Sequence, residues 1–330
     1  MSTTYRSLWI EKSSDDFSCC ITQRNTDDLP QHELLIEVHY SSLNFKDALS
    51  SAGNKGVTRE FPHQPGIDAA GIVVQSSSNQ FEVGDEVIVT GYDLGMNTAG
   101  GLGQYICVPS AWVIKKPQGI SLRETMLFGT AGLTAQLCVQ KLLRMGLTPE
   151  QGDVLVTGAT GGVGSIATAL LKQLGFLVIA SSGKVDQTEY LQSIGAAQVI
   201  NRNVFFEVNK KPMLKELYAG AIDVAGGKTL SNVLKQVKAG GSVAICGLVE
   251  SHNFDTTVMP FILRGINLLG VDSVEISLSE KQAVWNSLAT LKNYDVFETI
   301  NDEISLEQVP EQLAGMLAGK GKRHCIVALK

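Results

Sequence analysis

The sequence contains no uninterrupted run of the roughly 18 apolar residues that a membrane-spanning helix requires. Its first residues, up to Ile10, have neither a long apolar core nor a cleavage-site pattern, so no secretory signal is expected. Positive charge is also scarce, because 27 lysines and arginines stand against 33 aspartates and glutamates, a formal net charge of −6. A general nucleic-acid binder normally has a basic face. We therefore expect no membrane partner, no nucleic-acid partner and a cytoplasmic location.

Closely spaced metal ligands are missing as well. The six cysteines are scattered along the chain, and none belongs to a Cys-x-x-Cys pair. A zinc site needs ligands at a characteristic spacing, so we predict no metal site. We interpret the cysteines as reduced packing residues, which agrees with a cytoplasmic protein. They are Cys19, Cys20, Cys107, Cys138, Cys246 and Cys325.

The chain has 330 residues, 44% of them hydrophobic and 18% charged, which is typical of a compact protein with two domains. Up to about Pro117, short strands separated by turn residues predict a barrel-like β domain. From Val154, strands and helices alternate, which predicts a doubly wound parallel sheet that binds ligands at the carboxyl ends of its strands. The tail after Asp272 is too small to form a core alone, so we expect it to return to the β domain. The predicted strands are 5–11, 19–23, 34–40, 69–75, 86–90, 104–108, 154–156, 176–180, 197–201, 221–225, 241–246, 267–271 and 325–329, and the predicted helices are 121–143, 165–174, 280–291 and 307–317.

A glycine-rich turn follows the apolar strand that ends at Val156, and a helix with apolar residues at spacings of three and four follows the turn. Strand, glycine turn and helix in this order place unpaired helix N–H groups where a pyrophosphate can bind. Ala159 stands where the first glycine of the G-x-G-x-x-G pattern belongs. A glycine turn without a ligand is the alternative. The predicted cofactor residues in this turn are Thr160, Gly161, Gly162, Val163 and Gly164.

The next strand ends in Ser182, Gly183 and Lys184, and no acid precedes Asp186. A fold that binds NAD usually has an Asp or Glu here, which binds the ribose 2′-hydroxyl. A hydroxyl and a lysine suit a 2′-phosphate instead. These residues therefore predict NADP(H) as the cofactor. The alternative is a pair of solvated turn residues, Ser182 and Lys184.

A β domain with an inserted nucleotide-binding fold resembles the medium-chain dehydrogenase/reductase superfamily. The resemblance covers essentially the whole chain and is closest to its zinc-free quinone oxidoreductase branch, and within that to the NADPH-dependent acrylyl-CoA reductase group. It implies a GroES-like β-barrel catalytic domain, residues 1–125 and 269–330, a Rossmann domain, residues 126–268, and a homodimer. The stretches that carry it are Ser41-Ser-Leu-Asn-Phe-Lys-Asp-Ala48, Pro65-Gly-Ile-Asp68, Gly129-Thr-Ala-Gly-Leu-Thr134, Val258-Met-Pro-Phe-Ile-Leu-Arg-Gly265 and Gly270-Val-Asp-Ser273.

Zinc-binding relatives have Cys in the segment that matches Asn44 to Asp47, and His-Glu where this chain has Ile67-Asp68. Phe45 and Ile67 cannot rebuild that site, so alcohol oxidation through a metal-bound alkoxide is not expected. What remains is hydride transfer from the nicotinamide to an electron-poor carbon. The resemblance implies an active cleft with Asn44, Phe45 and Asp47, in which Asn44 donates to a substrate carbonyl and Asp47 orients the loop. Asn44 and Asp47 holding a turn through side-chain to backbone bonds is the alternative.

The resemblance also implies that Phe45 lies next to the nicotinamide, where the acrylyl-CoA reductase group commonly has Tyr. It places Arg202 near the adenine side. The residues that it implies around the nicotinamide and ribose are Thr134, Leu248, Ile262 and Ser273. Leu248 and Ile262 suit core packing equally well.

Three functions are compatible with the sequence. The first is an NADPH-dependent reductase of activated C=C bonds, with acrylyl-CoA or a small enone as substrate. The second is a quinone oxidoreductase that uses the same site. The third is a nucleotide-binding structural or interaction protein without turnover.

Overall fold

The computed structural model describes residues 2–14, 16–206, 210–291, 294–321 and 323–330. The chain forms two compact units. The first unit comprises Met1–Leu133, Ser273–Tyr294 and Asn301–Lys330, and the second comprises Thr134–Asp272 and Asp295–Ile300. Within the described residues, no helix combines the length and the apolar character needed to cross a membrane.

The first unit is mainly β. Its strands are β1 (Thr4–Ser13), β2 (Asp16–Asn25), β3 (Leu34–Ser42), β4 (Asp68–Ser76), β5 (Glu86–Thr90), β6 (Tyr105–Val108), β7 (Val113–Lys115), β14 (Asn301–Ser305) and β15 (His324–Ala328). Its helices are α1 (Phe45–Ser51), α7 (Leu278–Ala289), α9 (Val309–Leu317) and the first part of α2 (Leu122–Arg144), which continues into the second unit.

Most of these strands form one seven-stranded sheet. The order is β14-β15-β3-β4-β5-β7, with β6 also paired to β3, while β1 and β2 form a separate hairpin. In β3, Leu34, Ile36 and Val38 alternate with less buried residues, so one face of the sheet packs into the core. The core therefore lies directly behind the end of β3, where the candidate catalytic segment begins.

The second unit alternates strands and helices. Its strands are β8 (Val154–Val156), β9 (Val178–Ser182), β10 (Ala196–Asn201), β11 (Tyr218–Asp223), β12 (Val237–Ile245) and β13 (Asn267–Gly270). Its helices are the last part of α2, α3 (Gly162–Gln173), α4 (Thr188–Ser193), α5 (Gly227–Leu234), α6 (Met259–Arg264) and α8 (Asp295–Ile300).

All strand pairs of the second unit are parallel, in the order β10-β9-β8-β11-β12-β13. The strand order reverses between β8 and β11, and in open parallel sheets ligands bind at such a reversal. The prediction of a doubly wound parallel sheet is confirmed.

Several element bounds differ from the sequence-based predictions. β9 begins at Val178 and includes Ser181 and Ser182, whereas the prediction ended it at Ala180. α1 was not predicted, because its seven residues are too few for a helical period to emerge. α2 lies one residue later than the predicted helix 121–143 and is interrupted at Gly129, whose φ is 50° and ψ −152°.

Candidate active site and cofactor-binding residues

A buried carboxylate, Asp68, lies at the start of β4 and organises the candidate catalytic segment. Its Oδ2 accepts hydrogen bonds from Ser42 Oγ at 2.5 Å and from Asn44 Nδ2 at 2.7 Å. Thr130 adds two donors, its N–H at 2.9 Å from Oδ2 and its Oγ1 at 2.5 Å from Oδ1. Burial raises the pKa of Asp68, while these four donors act in the opposite direction. The carboxylate thereby joins the end of β3, the start of α1 and the middle of α2.

The interruption of α2 makes room for this carboxylate. A Cβ atom on Gly129 would lie 2.2 Å from Ser42 Oγ and 2.6 Å from Asp68 Oδ2, closer than real Cβ contacts allow. The positive φ of Gly129 is also one that glycine adopts without strain. Glycine at this position is therefore required both by space and by backbone conformation.

Asp47 is fully buried, and both of its carboxylate oxygens accept backbone N–H groups. Oδ2 lies 2.7 Å from Asn44 N, and Oδ1 lies 3.0 Å from Ile67 N. Burial raises the pKa of Asp47 to about 7, and the nearby charge of Asp68 adds to the effect. These bonds hold the turn at the start of α1, which is the side-chain to backbone arrangement considered from the sequence.

Asn44 directs its amide nitrogen into the protein. Besides the bond to Asp68, Nδ2 lies 3.2 Å from the Ser42 carbonyl oxygen. The long second bond is the weaker of the two. Phe45, the next residue, begins α1, is 40% exposed and has no O–H group. The geometry thus presents an oriented amide beside an exposed aromatic ring.

The glycine turn in the second unit runs from the end of β8 to α3. Gly158 has a φ of 59°, and a Cβ on Gly164 would lie 2.4 Å from Gly158 O, so the turn folds tightly against the first turn of the helix. α3 begins after Gly161 and has 12 residues, and the first N–H groups of a helix lack intrahelical partners. Together with the predicted Thr160 and Val163, this turn fits a pyrophosphate.

Ser182, Gly183 and Lys184 lie at the carboxyl end of β9. Ser182 is buried, and its Oγ accepts a hydrogen bond from Lys184 N at 3.0 Å. β9 and β10 pair in register with Asn201 opposite Ser182, which brings Arg202 beside Gly183. A Cβ on Gly183 would lie 2.4 Å from Arg202 Nε, so the arginine side chain covers this glycine. Ser182 and two cationic residues, Lys184 and Arg202, therefore lie at the neighbouring carboxyl ends of β9 and β10, which fits a phosphate group.

A second buried acid, Asp223, ends β11 and was not singled out from the sequence. Its Oδ1 accepts from Thr157 Oγ1 at 2.7 Å, and its Oδ2 accepts from Gly226 N at 2.7 Å. Thr157 Oγ1 in turn accepts from Val224 N at 3.0 Å. Burial raises the pKa of Asp223 to about 6. Asp223 ties the ends of β8 and β11 together at the reversal of the strand order. In both cases the available signal in the sequence was an acid at the end of an apolar strand, because Asp223 is the last residue of β11 and Asp68 is the first residue of β4.

Of the other predicted cofactor residues, two are buried and two are exposed. Thr134 and Ser273 are buried, the first in the second unit and the second in the first unit. Leu248 and Ile262 are 62% and 68% exposed, so the alternative of core packing does not apply to them. Among the described residues, no group of three or more His, Cys, Asp or Glu side chains could hold a metal ion.

Two family models match the chain. The model described as an alcohol dehydrogenase GroES-like domain matches residues 30–118, and the one described as a zinc-binding dehydrogenase matches residues 162–290. YhfP of Bacillus subtilis, which is named a quinone oxidoreductase, is 43% identical over 330 residues and covers all of both chains. The chain belongs to the medium-chain dehydrogenase/reductase superfamily. Like these relatives, it is an oxidoreductase, and its GroES-like and Rossmann domains confirm the predicted fold class.

Further relatives show to which group within the superfamily the chain is similar. The acrylyl-CoA reductase AcuI of Ruegeria pomeroyi is 40% identical over 325 residues and covers 98% of each chain. The crystal structure of the yhdH oxidoreductase of Salmonella enterica in complex with NADP has a TM-score of 0.96 at 39% identity, covering 98% of this chain and all of the other. The structure of YhfP with NAD bound has a TM-score of 0.95 at 44% identity, covering 99% and 100%. The predicted place in the quinone oxidoreductase and acrylyl-CoA reductase group is confirmed.

Proposed function

We propose that the protein is an NADPH-dependent reductase of activated C=C bonds, with acrylyl-CoA or a small enone as its substrate. The observation that carries the choice of cofactor is Arg202 lying over Gly183, between Ser182 and Lys184. The substrate class is supported by 40% identity to an acrylyl-CoA reductase over nearly the whole chain. The bound cofactor supplies the hydride, which adds to the β-carbon of the substrate.

In this proposal, residues of the first unit provide and position a hydrogen-bond donor for the substrate oxygen. Hydride addition leaves an enolate, whose oxygen needs a hydrogen-bond donor. Asn44 Nδ2 can provide one if the substrate oxygen takes the place of the Ser42 carbonyl, which is its longer contact at 3.2 Å. Asp68 keeps the amide in this orientation through its 2.7 Å bond, so it acts as a positioning residue. Asp47 holds the backbone at the start of α1. Phe45 has no proton to donate, so the α-carbon takes its proton from water.

A quinone is the second candidate substrate. Phe45 favours it, because the acrylyl-CoA reductase group commonly has Tyr at this position, and YhfP is 43% identical. The two functions are separated by measuring NADPH oxidation with acrylyl-CoA, with a small enone and with a soluble quinone at equal concentration. A kcat/KM at least tenfold higher for acrylyl-CoA or the enone supports the first function. Preference for the quinone supports the second, and NADPH binding without turnover on the whole panel contradicts both.

We further propose that the protein is a cytoplasmic homodimer. Six free cysteines suit a reducing compartment. β13 is an edge strand of its sheet, and Val258 and Leu263, which precede it in the chain, are 66% and 59% exposed, so a second copy would bury them. Sedimentation of Leu263→Glu beside the wild type tests the dimer, with Val83→Glu, an equally apolar exposed site in the first unit, as the control. A wild-type monomer at micromolar concentration contradicts it.

A further inference from the structure

Two of the free cysteines lie in the second unit. Cys138 is on the last part of α2 and is fully buried, whereas Cys246 directly follows β12 and is half-buried. They are 108 positions apart in the sequence, by subtraction of their numbers. Neither has a role in the reaction proposed above.

The fold brings these two positions together. Lys141 Nζ donates a hydrogen bond of 2.5 Å to the carbonyl oxygen of Gly270, the last residue of β13. Gly270 pairs with Ile245, the residue before Cys246. Cys138 lies three positions before Lys141 on α2, hence on the same face of the helix. The face of α2 that carries Cys138 is therefore fixed over the carboxyl ends of β12 and β13.

The side chains meet at this point. The thiol of Cys138 interacts with the thiol of Cys246, and this contact, followed by burial, raises the pKa of Cys138. Cys246 Sγ also lies 3.7 Å from the carbonyl oxygen of Asp223, at the end of β11. Cys138 thus stays a protonated thiol next to the more exposed sulfur of Cys246.

We propose that Cys138 and Cys246 form a dithiol site that a hydroperoxide oxidises to an intramolecular disulfide. Cys246, the more accessible of the two, attacks the terminal oxygen of the hydroperoxide. The O–O bond breaks, Cys246 becomes a sulfenic acid, and the oxidant leaves as an alcohol, or as water when it is hydrogen peroxide. The thiol of Cys138 then attacks the sulfur of Cys246. The S–O bond breaks, the S–S bond forms and water leaves, so that two thiols have lost two electrons and two protons.

The other cysteines provide internal references. Cys20 is exposed on β2, and Cys107 is buried on β6 in the first unit. Cys20 reports whether the oxidant reached the protein at all. Cys107 reports whether a buried thiol reacts without a neighbouring thiol. Because peptide mapping needs neither cofactor nor substrate, its result is independent of the proposed function.

The experiment treats the folded wild-type protein with hydrogen peroxide, blocks the remaining thiols with iodoacetamide and maps the peptides without reduction. We expect a cross-linked peptide pair containing Cys138 and Cys246, which dithiothreitol separates. In Cys138→Ser, Cys246 should be trapped by dimedone as a sulfenic acid. In Cys107→Ser, the matched control, the cross-link should form as in the wild type. Recovery of Cys246 as a free thiol or as a sulfinic acid in wild-type samples in which Cys20 is oxidised would overturn the proposal. A cross-link between Cys246 and any other cysteine would do the same.

Discussion

Asn44 Nδ2 lies 2.7 Å from Asp68 Oδ2, so a fully buried carboxylate holds the amide of the residue that precedes α1. Three further donors from Ser42 and Thr130 complete the set around the same carboxylate. All four donors converge on this carboxylate, so the loss of one donor leaves the other three in place. The orientation of the Asn44 amide therefore depends chiefly on Asp68, the first residue of β4.

Asp68→Asn should impair catalysis as well as folding. The substitution keeps the shape of the side chain but replaces one acceptor oxygen with a donor, so donors from Ser42, Asn44 or Thr130 lose their partner. An unsatisfied buried polar group costs about 1–3 kcal/mol, which corresponds to about a 5- to 150-fold loss in kcat/KM if the Asn44 orientation serves the reaction. Steady-state kinetics and thermal unfolding measure the two effects, with exposed Asp27→Asn as the control. An unchanged kcat/KM would show that Asn44 does not act on the substrate.

The wild type should prefer NADPH to NADH, and Lys184→Ala should lose most of that preference. A hydrogen bond to a charged group contributes about 1.5–3 kcal/mol, so the loss should be about 10- to 150-fold in the ratio of the two dissociation constants. Arg202→Ala should act in the same direction because its side chain covers Gly183. Fluorescence titration with both cofactors measures the ratio. Lys215→Ala, an exposed lysine of the same unit, is the control. Equal affinity of the wild type for NADH and NADPH contradicts the assignment.

Phe45→Tyr should change turnover by less than about tenfold, a shift under roughly 1.4 kcal/mol, because we expect hydride transfer and not protonation to limit the rate. Single-turnover rates with deuterated NADPH and in heavy water distinguish the two steps. A large solvent isotope effect without a cofactor isotope effect would reject hydride-limited turnover. A gain above a hundredfold in Phe45→Tyr would reject water as the proton source.

His324 should make the fold less stable in acid. Its Nδ1 lies 2.7 Å from Asn301 Oδ1, and Nε2 is buried without a partner among the described residues. Burial lowers the pKa of His324 to about 4. The stability that depends on its neutral form is therefore complete above about pH 6.5 and is lost as the pH falls towards 4, by up to about 3 kcal/mol.

Urea unfolding of the wild type and of His324→Gln at pH 7 and pH 4.5 measures this loss. The variant should lose less stability between the two pH values than the wild type does. His252→Gln, at an exposed histidine, should keep the wild-type difference. Equal losses in all three proteins would exclude His324 as the cause.

In the second unit, local sequence patterns were enough to predict the glycine turn and the elements on either side of it. The strand, glycine turn and helix from Val154 to Gln173 are consecutive, so their order alone predicts the geometry of the turn. The same holds for Ser182 and Lys184, which are separated by one residue. Arg202 is different, because its position over Gly183 follows from the register of β9 and β10. The resemblance implied the adenine side for it, and only the pairing of the strands brings it to this segment.

The cluster around Asp68 could not be predicted in the same way. Asn44 and Asp68 are 24 residues apart, and Thr130 and Asp68 are 62 apart. Their contact depends on the pairing of β3 with β4 and on the interruption of α2 at Gly129. No local period encodes either feature. Asp68 was noted from the sequence only as a departure from the zinc-binding pattern, although an acid next to an apolar strand is a signal of a buried, hydrogen-bonded group.

Helix α8 has only six residues, but it has a consequence for the order in which the chain can fold during synthesis. It belongs to the second unit and packs against α3, although 22 residues of the first unit, Ser273–Tyr294, precede it in the chain. A ribosome must therefore release residue 300 before the second unit is complete. The first unit has to wait longer, because β3 acquires its neighbour β15 only when residues 324–328 emerge. Neither unit consists of one continuous stretch of chain. Neither can therefore fold completely from such a stretch, and proteolysis cannot release either of them as one intact fragment.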